Sequence, residues 1–288
     1  MYIPENLIDL TDYEKYKGLS VHVAEIIKHD ISLSDRALLI EHCGDFLHFS
    51  SDGDLMSANF CRQRLCPNCQ RRRSLKTYSK FKQISDSLES KNYVFIHLVL
   101  TCRNCEDVEL KKTIDLLYKA FSKFYNKQQV KRVFKGVLRC LEVSYNSELC
   151  TYHPHLHCLI AVKKSYFTSR YYLKKETIQE LWKNALDVDY FPQVYITRCD
   201  SNALAEVSKY CVKPFEFEVH SDVHKLAILK ALHNGLHCRR LLQTYGVIRE
   251  EARLLNIDFD SDEETELEKV LPSYSFTYDF IKGKYSIT

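Results

Sequence analysis

His155 and His157 lie one residue apart at the entrance to an apolar stretch, in the segment Tyr152-His153-Pro154-His155-Leu156-His157-Cys158-Leu159-Ile160-Ala161-Val162. Its apolar second half reads as a β-strand, and in a strand successive side chains alternate between faces. Both imidazoles then share one face while Leu156 turns into the core. Two neutral imidazoles side by side are a ready pair of ligands for a divalent metal. The pattern therefore asks for a sheet with one chemically active face.

The rest of the chain supplies the sheet. Tyr93–Thr101, Gly136–Tyr145, His155–Val162 and Gln193–Arg198 read as strands, rich in β-branched and aromatic residues or alternating with period two. Between them lie helical patterns. Leu110, Ile114, Leu117, Phe121 and Phe124 recur at helical spacing within 107–134, and Lys174–Leu186 carries the single tryptophan, Trp182. Further helices are expected at Val21–Lys28, Ser34–Ile40, Lys76–Ser87, Ala203–Val212 and Val223–Leu242, whereas 41–75 shows little regular pattern. This order predicts an α+β fold, an antiparallel sheet with helices packed on one face. It divides the chain into an N-terminal helical and zinc-binding region (1–88), a central domain (89–218) and a C-terminal helical region with an acidic tail (219–288).

With 45% hydrophobic and 27% charged residues, the 288-residue chain can bury a core. Net charge is only +3, but the charges are segregated. Between Cys61 and Lys82 stand Arg62, Arg64, Arg71, Arg72, Arg73, Lys76, Lys80 and Lys82 with no acidic residue, which suits phosphate contact; the sign reverses over Asp258–Glu268. Twelve cysteines and a start without a basic, then apolar, leader point to a reducing, cytoplasmic compartment, and no apolar run suggests a membrane partner. Only seven glycines occur, and neither a Walker nor a dinucleotide motif is present.

Cys61-x4-Cys66-Pro67-Asn68-Cys69, with Cys43 upstream, is a thiolate cluster that can close a tetrahedral structural Zn2+ site; His42 competes with Cys43 for the fourth position. Cys102-x2-Cys105 has no second pair beside it and reads as structural. For the histidine pair, Glu142, an acid within the apolar strand Gly136–Tyr145, completes a three-ligand set that leaves positions open for a phosphate oxygen. Glu206 and Tyr210 stand at i, i+4 on one helix face, with Lys213 a turn further. A phenol with a pKa of about 10 is a weak nucleophile without help. Among 19 tyrosines this spacing does not by itself single out Tyr210.

Taken together the motifs resemble those of plasmid rolling-circle replication initiators. The block from Cys43-Gly44 through Ala58-Asn59-Phe60-Cys61-Arg62-x-Arg64-Leu65-Cys66-Pro67-x-Cys69-x-Arg71-Arg72-Arg73-Ser74-Leu75-Lys76 is similar to their N-terminal signature. Leu98-Val99-Leu100-Thr101, Leu141-Glu142-Val143-Ser144-Tyr145-Asn146, His153-Pro154-His155-Leu156-His157 and Glu206-Val207-Ser208-Lys209-Tyr210-Cys211-Val212-Lys213 follow in the family's order, as do Leu241-Leu242-x2-Tyr245-Gly246 and Leu255-Asn256-Ile257-Asp258. The resemblance covers about residues 40–260.

The resemblance places the chain among the HUH endonucleases and implies a five-stranded antiparallel sheet with the histidines on a central strand. It implies Mg2+ or Mn2+ held by His155, His157 and Glu142. Tyr210 becomes the nucleophile that nicks the plasmid's double-strand origin, leaving a 5′-phosphotyrosyl link and a 3′-OH for a host polymerase. Glu206 becomes the activator of the terminating water, and Lys209 and Lys213 are left between offsetting transition-state charge and positioning the phosphate. Single-stranded and origin duplex DNA are the implied partners, with a host helicase and polymerase, and a homodimer is left open. Cys102, Cys105 and Cys211 depart from the pattern, and no second tyrosine stands at i+3 or i+4 from Tyr210. Two other readings compete: an HUH transposase or relaxase, and a zinc-dependent DNA-binding regulator without chemistry, in which His155 and His157 are core residues.

Overall fold

A computed structural model of the protein describes residues 8–199, 221–259 and 272–288. The chain divides into two compact units, one of residues 1–73, 221–227 and 261–288, the other of 74–220 and 228–260.

The first unit contains helices α1 (Thr11–Ile27) and α2 (Ser34–Glu41) and a four-stranded sheet. Its strands β1 (Phe46–Phe49) and β2 (Leu55–Ala58) form a hairpin within the segment that shows little pattern in sequence. The chain's last two strands, β8 (Tyr274–Asp279) and β9 (Lys284–Ile287), join it in the order β2-β1-β8-β9. Leu47, Phe49, Phe276, Tyr278 and Tyr285 form its apolar centre. Beside them the fully buried Lys17 ammonium is 2.5 Å from Asp45 Oδ1 and lies over the Tyr278 and Phe280 rings at 5.1 and 4.9 Å. A buried cation needs such partners, because desolvation without them costs several kcal/mol.

Helix α3 (Pro67–Ser90) begins nine residues before the expected Lys76, and the unit boundary falls within it. Proline is well placed at a helix start, where its missing N–H would lack a partner anyway.

The second unit is built on five antiparallel strands in the order β6-β3-β5-β4-β7. These are β3 (Tyr93–Thr101), β4 (Gly136–Asn146), β5 (Thr151–Lys163), β6 (Val194–Arg198) and β7 (Leu242–Tyr245). The histidine strand β5 is the middle one, as expected. The 107–134 pattern is two helices, α4 (Asp107–Tyr125) and α5 (Gln128–Val133), because the chain turns at Asn126–Lys127. With α6 (Lys175–Leu186) they cover one face through Leu110, Ile114, Leu117, Phe121, Phe124, Ile178 and Trp182, packed on Leu98, Leu100, Leu141, Leu156 and Ile160.

A smaller layer lies on the opposite face. Phe81, Ile84 and Leu88 of α3 and Ile248 and Ala252 of α8 (Gly246–Leu254) cover Phe95, Leu138, Leu159 and Ala161. The helix expected to reach Leu242 stops earlier, as α7 (Asp222–Leu236), and Leu242 begins β7. Cys238 with φ +54° marks the break, a left-handed conformation that no helix continues through. No helix among the described residues is long and apolar enough to cross a membrane.

Candidate metal centres

Sheet register assembles the first centre. Across β3, β5 and β4, residues on one face line up in rows: Phe95–Ala161–Gly136, His97–Leu159–Leu138, Val99–His157–Cys140 and Thr101–His155–Glu142. Directly paired residues share a face. The face therefore passes from an apolar end under α3 and α8 to a polar end carrying Glu142, His155 and His157.

There the three side chains converge. Glu142 Oε2 is 3.1 Å from His155 Nε2 and 2.7 Å from His157 Nε2. Their side chains are 10%, 12% and 6% exposed, so the centre has a narrow opening. Burial on its own would raise the Glu142 pKa; the two imidazoles beside it outweigh that and bring it to about 2. The carboxylate is therefore ionised at neutral pH.

Each imidazole is held from behind. His155 Nδ1 is 3.0 Å from the carbonyl of His153, which can only accept, so Nδ1 carries the proton and Nε2 keeps a lone pair. In neutral His155 that lone pair meets a carboxylate, an arrangement of acceptors that calls for a cation between them. A divalent metal fits that need, and one carboxylate with two imidazoles is a donor set that leaves further positions open. His157 Nδ1 is 3.0 Å from Nε2 of His97 on β3, a residue that sequence reasoning passed over. The only signal was parity: His97 falls on the same face of its strand as Phe95 and Val99. His153 stands at the rim, its Nδ1 2.8 Å from Asn104 Oδ1, and burial followed by the neighbouring His155 charge lowers its pKa.

The second centre is the cysteine cluster. Cys43, Cys61, Cys66 and Cys69 bring their sulfurs within 4.8 Å of one another. Cys69 Sγ is 3.5 Å from Cys43 Sγ and 3.6 Å from Cys61 Sγ. Tetrahedral zinc with 2.3 Å bonds sets its sulfurs about 3.8 Å apart, so the spacing suits that ion. Cys43, not His42, is the fourth member of the group; His42 Nδ1 instead lies 2.8 Å from Asp45 Oδ2. Backbone N–H groups donate to the sulfurs, Cys61 N to Cys43 at 3.3 Å and Arg62 N to Cys69 at 3.1 Å, the support that metal-bound thiolates use. The Arg62 donor depends on a left-handed backbone, φ +59°. Hydrogen bonds from Cys43 and Cys61 hold Cys66 and Cys69 below the usual thiol range.

The basic block around this cluster is partly engaged within its own unit. Arg71 pairs with Asp12 and lies over the Tyr16 ring, Arg72 lies over Phe60 at 4.6 Å, and Arg73 donates to the Arg62 carbonyl. Arg62 is exposed, and Arg64 and Lys76 are half-buried. Cys102 and Cys105 are buried in the main core and stand outside both ligand groups. Tyr210, Glu206, Lys209 and Lys213 lie outside the described residues.

One unit with a five-stranded antiparallel sheet whose middle strand carries a histidine pair facing a carboxylate on the next strand, and another with a four-cysteine cluster, define the class of protein. The family described as "Replication protein" matches residues 52–286. A "Protein rep" of Streptococcus pneumoniae serotype 2 is 36% identical over 278 residues, covering 88% of this chain and 85% of its own. Proteins of the same name from a Bacillus species and from Lactiplantibacillus plantarum are each 33% identical, over 75% and 77% of this chain and 79% and 76% of their own. No solved structure matches the chain. The chain belongs to the replication protein family, the plasmid rolling-circle Rep proteins whose motifs its sequence resembles. It is a replication initiator of that family, and DNA is its partner.

Proposed function

We propose that the protein starts rolling-circle replication by nicking one strand at its plasmid's double-strand origin. One observation carries the reading: in a chain of the replication protein family, Glu142, His155 and His157 converge on one point at the polar end of a sheet face. Those three residues would hold Mg2+ or Mn2+, which when bound polarises a phosphate oxygen. The cysteine cluster would hold Zn2+ as a structural ion.

The chain's own residues carry the chemistry. The Tyr210 hydroxyl gives its proton to solvent and its oxygen attacks the scissile phosphorus. The bond from phosphorus to the 3′ oxygen breaks, and that oxygen takes up a proton. The products are a 5′-phosphotyrosyl link and a free 3′-OH, the primer for a host polymerase working with a host helicase. At termination Glu206 takes a proton from water, which attacks the same phosphorus and releases Tyr210. Lys209 and Lys213 would offset charge on the phosphate. Arg62, Arg64, Arg71, Arg72, Arg73 and Lys76 would contact the DNA backbone, which makes binding steeply salt-dependent. The central nicking domain, 89–218, would lie between the zinc-binding region and the C-terminal region.

The test is a covalent-adduct assay with Mn2+ and supercoiled DNA of the replicon. Wild-type protein should stay linked to a 5′ end after SDS treatment, and Tyr210→Phe and His157→Ala should not. Tight binding with no nicking by the wild type would overturn the catalytic reading and leave a zinc-dependent DNA-binding regulator.

A further inference from the structure

The two ligand histidines are oriented by different partners. Behind His155 stands a backbone carbonyl, which fixes the proton on Nδ1. Behind His157 stands another imidazole, His97, with Nε2 3.0 Å from His157 Nδ1 and the rings stacked at 5.2 Å and 17°. An imidazole nitrogen can donate or accept. The hydrogen bond between the pair therefore has two proton arrangements, and only one leaves His157 Nε2 free to bind a metal.

We infer that His97 is the positioning residue of the metal centre, accepting the His157 Nδ1 proton so that Nε2 presents its lone pair to the ion. The inference rests on the metal-dependent reading above. His157 Nε2 stands 2.7 Å from Glu142 Oε2, and the proton between His157 Nδ1 and His97 Nε2 can sit on either ring. A His157 that carries its proton on Nε2 would have to give it to solvent for an ion to bind there. The proton between the rings would then pass from His97 Nε2 to His157 Nδ1, and His97 Nδ1 would take one from solvent. Two protons are held by the pair before and after, so the pair changes its tautomers without net proton release. His97 is 8% exposed and lies between β5 and β6, a confined position from which the ring can act as a fixed partner. Partners of this kind orient the ligand, and their loss typically weakens metal binding 10–100-fold.

The test uses the full chain with Mn2+ as probe. His97→Phe keeps a flat ring but has no acceptor, whereas His97→Gln keeps an acceptor oxygen. Titration calorimetry should show Mn2+ binding weakened roughly 10–100-fold in His97→Phe and within a few-fold of wild type in His97→Gln. Long-range 15N NMR of the wild type, with diamagnetic Mg2+ in place of Mn2+, should show the His157 proton on Nδ1 and not on Nε2 once the ion is bound. Nicking by His97→Phe should recover at saturating Mn2+, an effect on metal affinity rather than on kcat. Thermal melting separates these effects from loss of fold. Unchanged Mn2+ affinity in a folded His97→Phe, or equal loss in both variants, would overturn the role. Glu142→Ala and His157→Ala report separately on the centre. If neither weakens Mn2+ binding, the metal-centre reading falls and this inference with it; if both do and His97→Phe does not, only the role of His97 is lost.

Discussion

Glu142 and His155 stand directly opposite each other on neighbouring antiparallel strands, with Oε2 3.1 Å from Nε2, although thirteen residues separate them along the chain. The hairpin that joins β4 to β5 sets this pairing, and a slip of one residue would send one of them to the other face. The centre is thus a consequence of register.

Replacing the carboxylate should disable the centre without unfolding the sheet. Glu142→Gln keeps the shape and removes the charge. Its Mn2+ affinity should fall at least tenfold by titration calorimetry while the thermal midpoint stays within a few degrees, since a bare carboxylate between two imidazoles contributes more to the ion than to the fold.

The cysteine cluster should carry about one Zn2+ per chain. A strong chelator, or Cys66→Ser, should release it, and the first unit should lose protection against proteolysis before the second does. A small unit with a thin apolar centre draws much of its folding free energy from such an ion. Metal analysis with limited proteolysis checks this; a zinc-free protein with an intact first unit would contradict it.

Gly246 opens α8 with φ +54°, and a Cβ there would lie 2.1 Å from the Lys135 carbonyl oxygen. Gly246→Ala therefore combines a disfavoured backbone with a clash against main chain. It should cost on the order of 3 kcal/mol and lower Tm by roughly 5–10 °C, measurable by calorimetry.

Glu251 is buried against Ser87 Oγ and Lys91 Nζ, both at 2.5 Å, and those hydrogen bonds hold its pKa below the usual 4.5. A carboxyl lowered in the folded state adds stability that is present above the unfolded pKa and is lost as pH falls through the folded one. Glu251→Gln should therefore be less stable than wild type at pH 7, and the gap should narrow below about pH 4. Urea unfolding at the two pH values measures both.

Much of the second unit was legible in the chain. Tyr93–Thr101 is a strand with the expected bounds, and Gly136–Asn146, Thr151–Lys163 and Val194–Arg198 differ from expectation only at their ends. These segments are apolar or alternate with period two, so local pattern and burial agree. Cys43, Cys61, Cys66 and Cys69 meet as their spacing predicts, and Glu142 joins His155 and His157. The four-residue strands β1, β2, β7 and β9 and the six-residue β8 were not legible, because strands that short carry too few residues for a periodic signal. His97 was hidden for another reason: one histidine in an apolar strand has no pattern at all.

By itself, the sequence determined which residues have ligand chemistry and which face of each strand they occupy, because alternation along a strand is a local property of the backbone. Only the tertiary structure decided which strands are neighbours. It set β5 between β3 and β4, so that His97, His157 and Glu142 share one face across three strands, and it set β8 against β1 at the far end of the chain. Strand partners are chosen by burial of whole faces and by closure of backbone hydrogen bonds, free energies that belong to the assembled sheet and to no single segment.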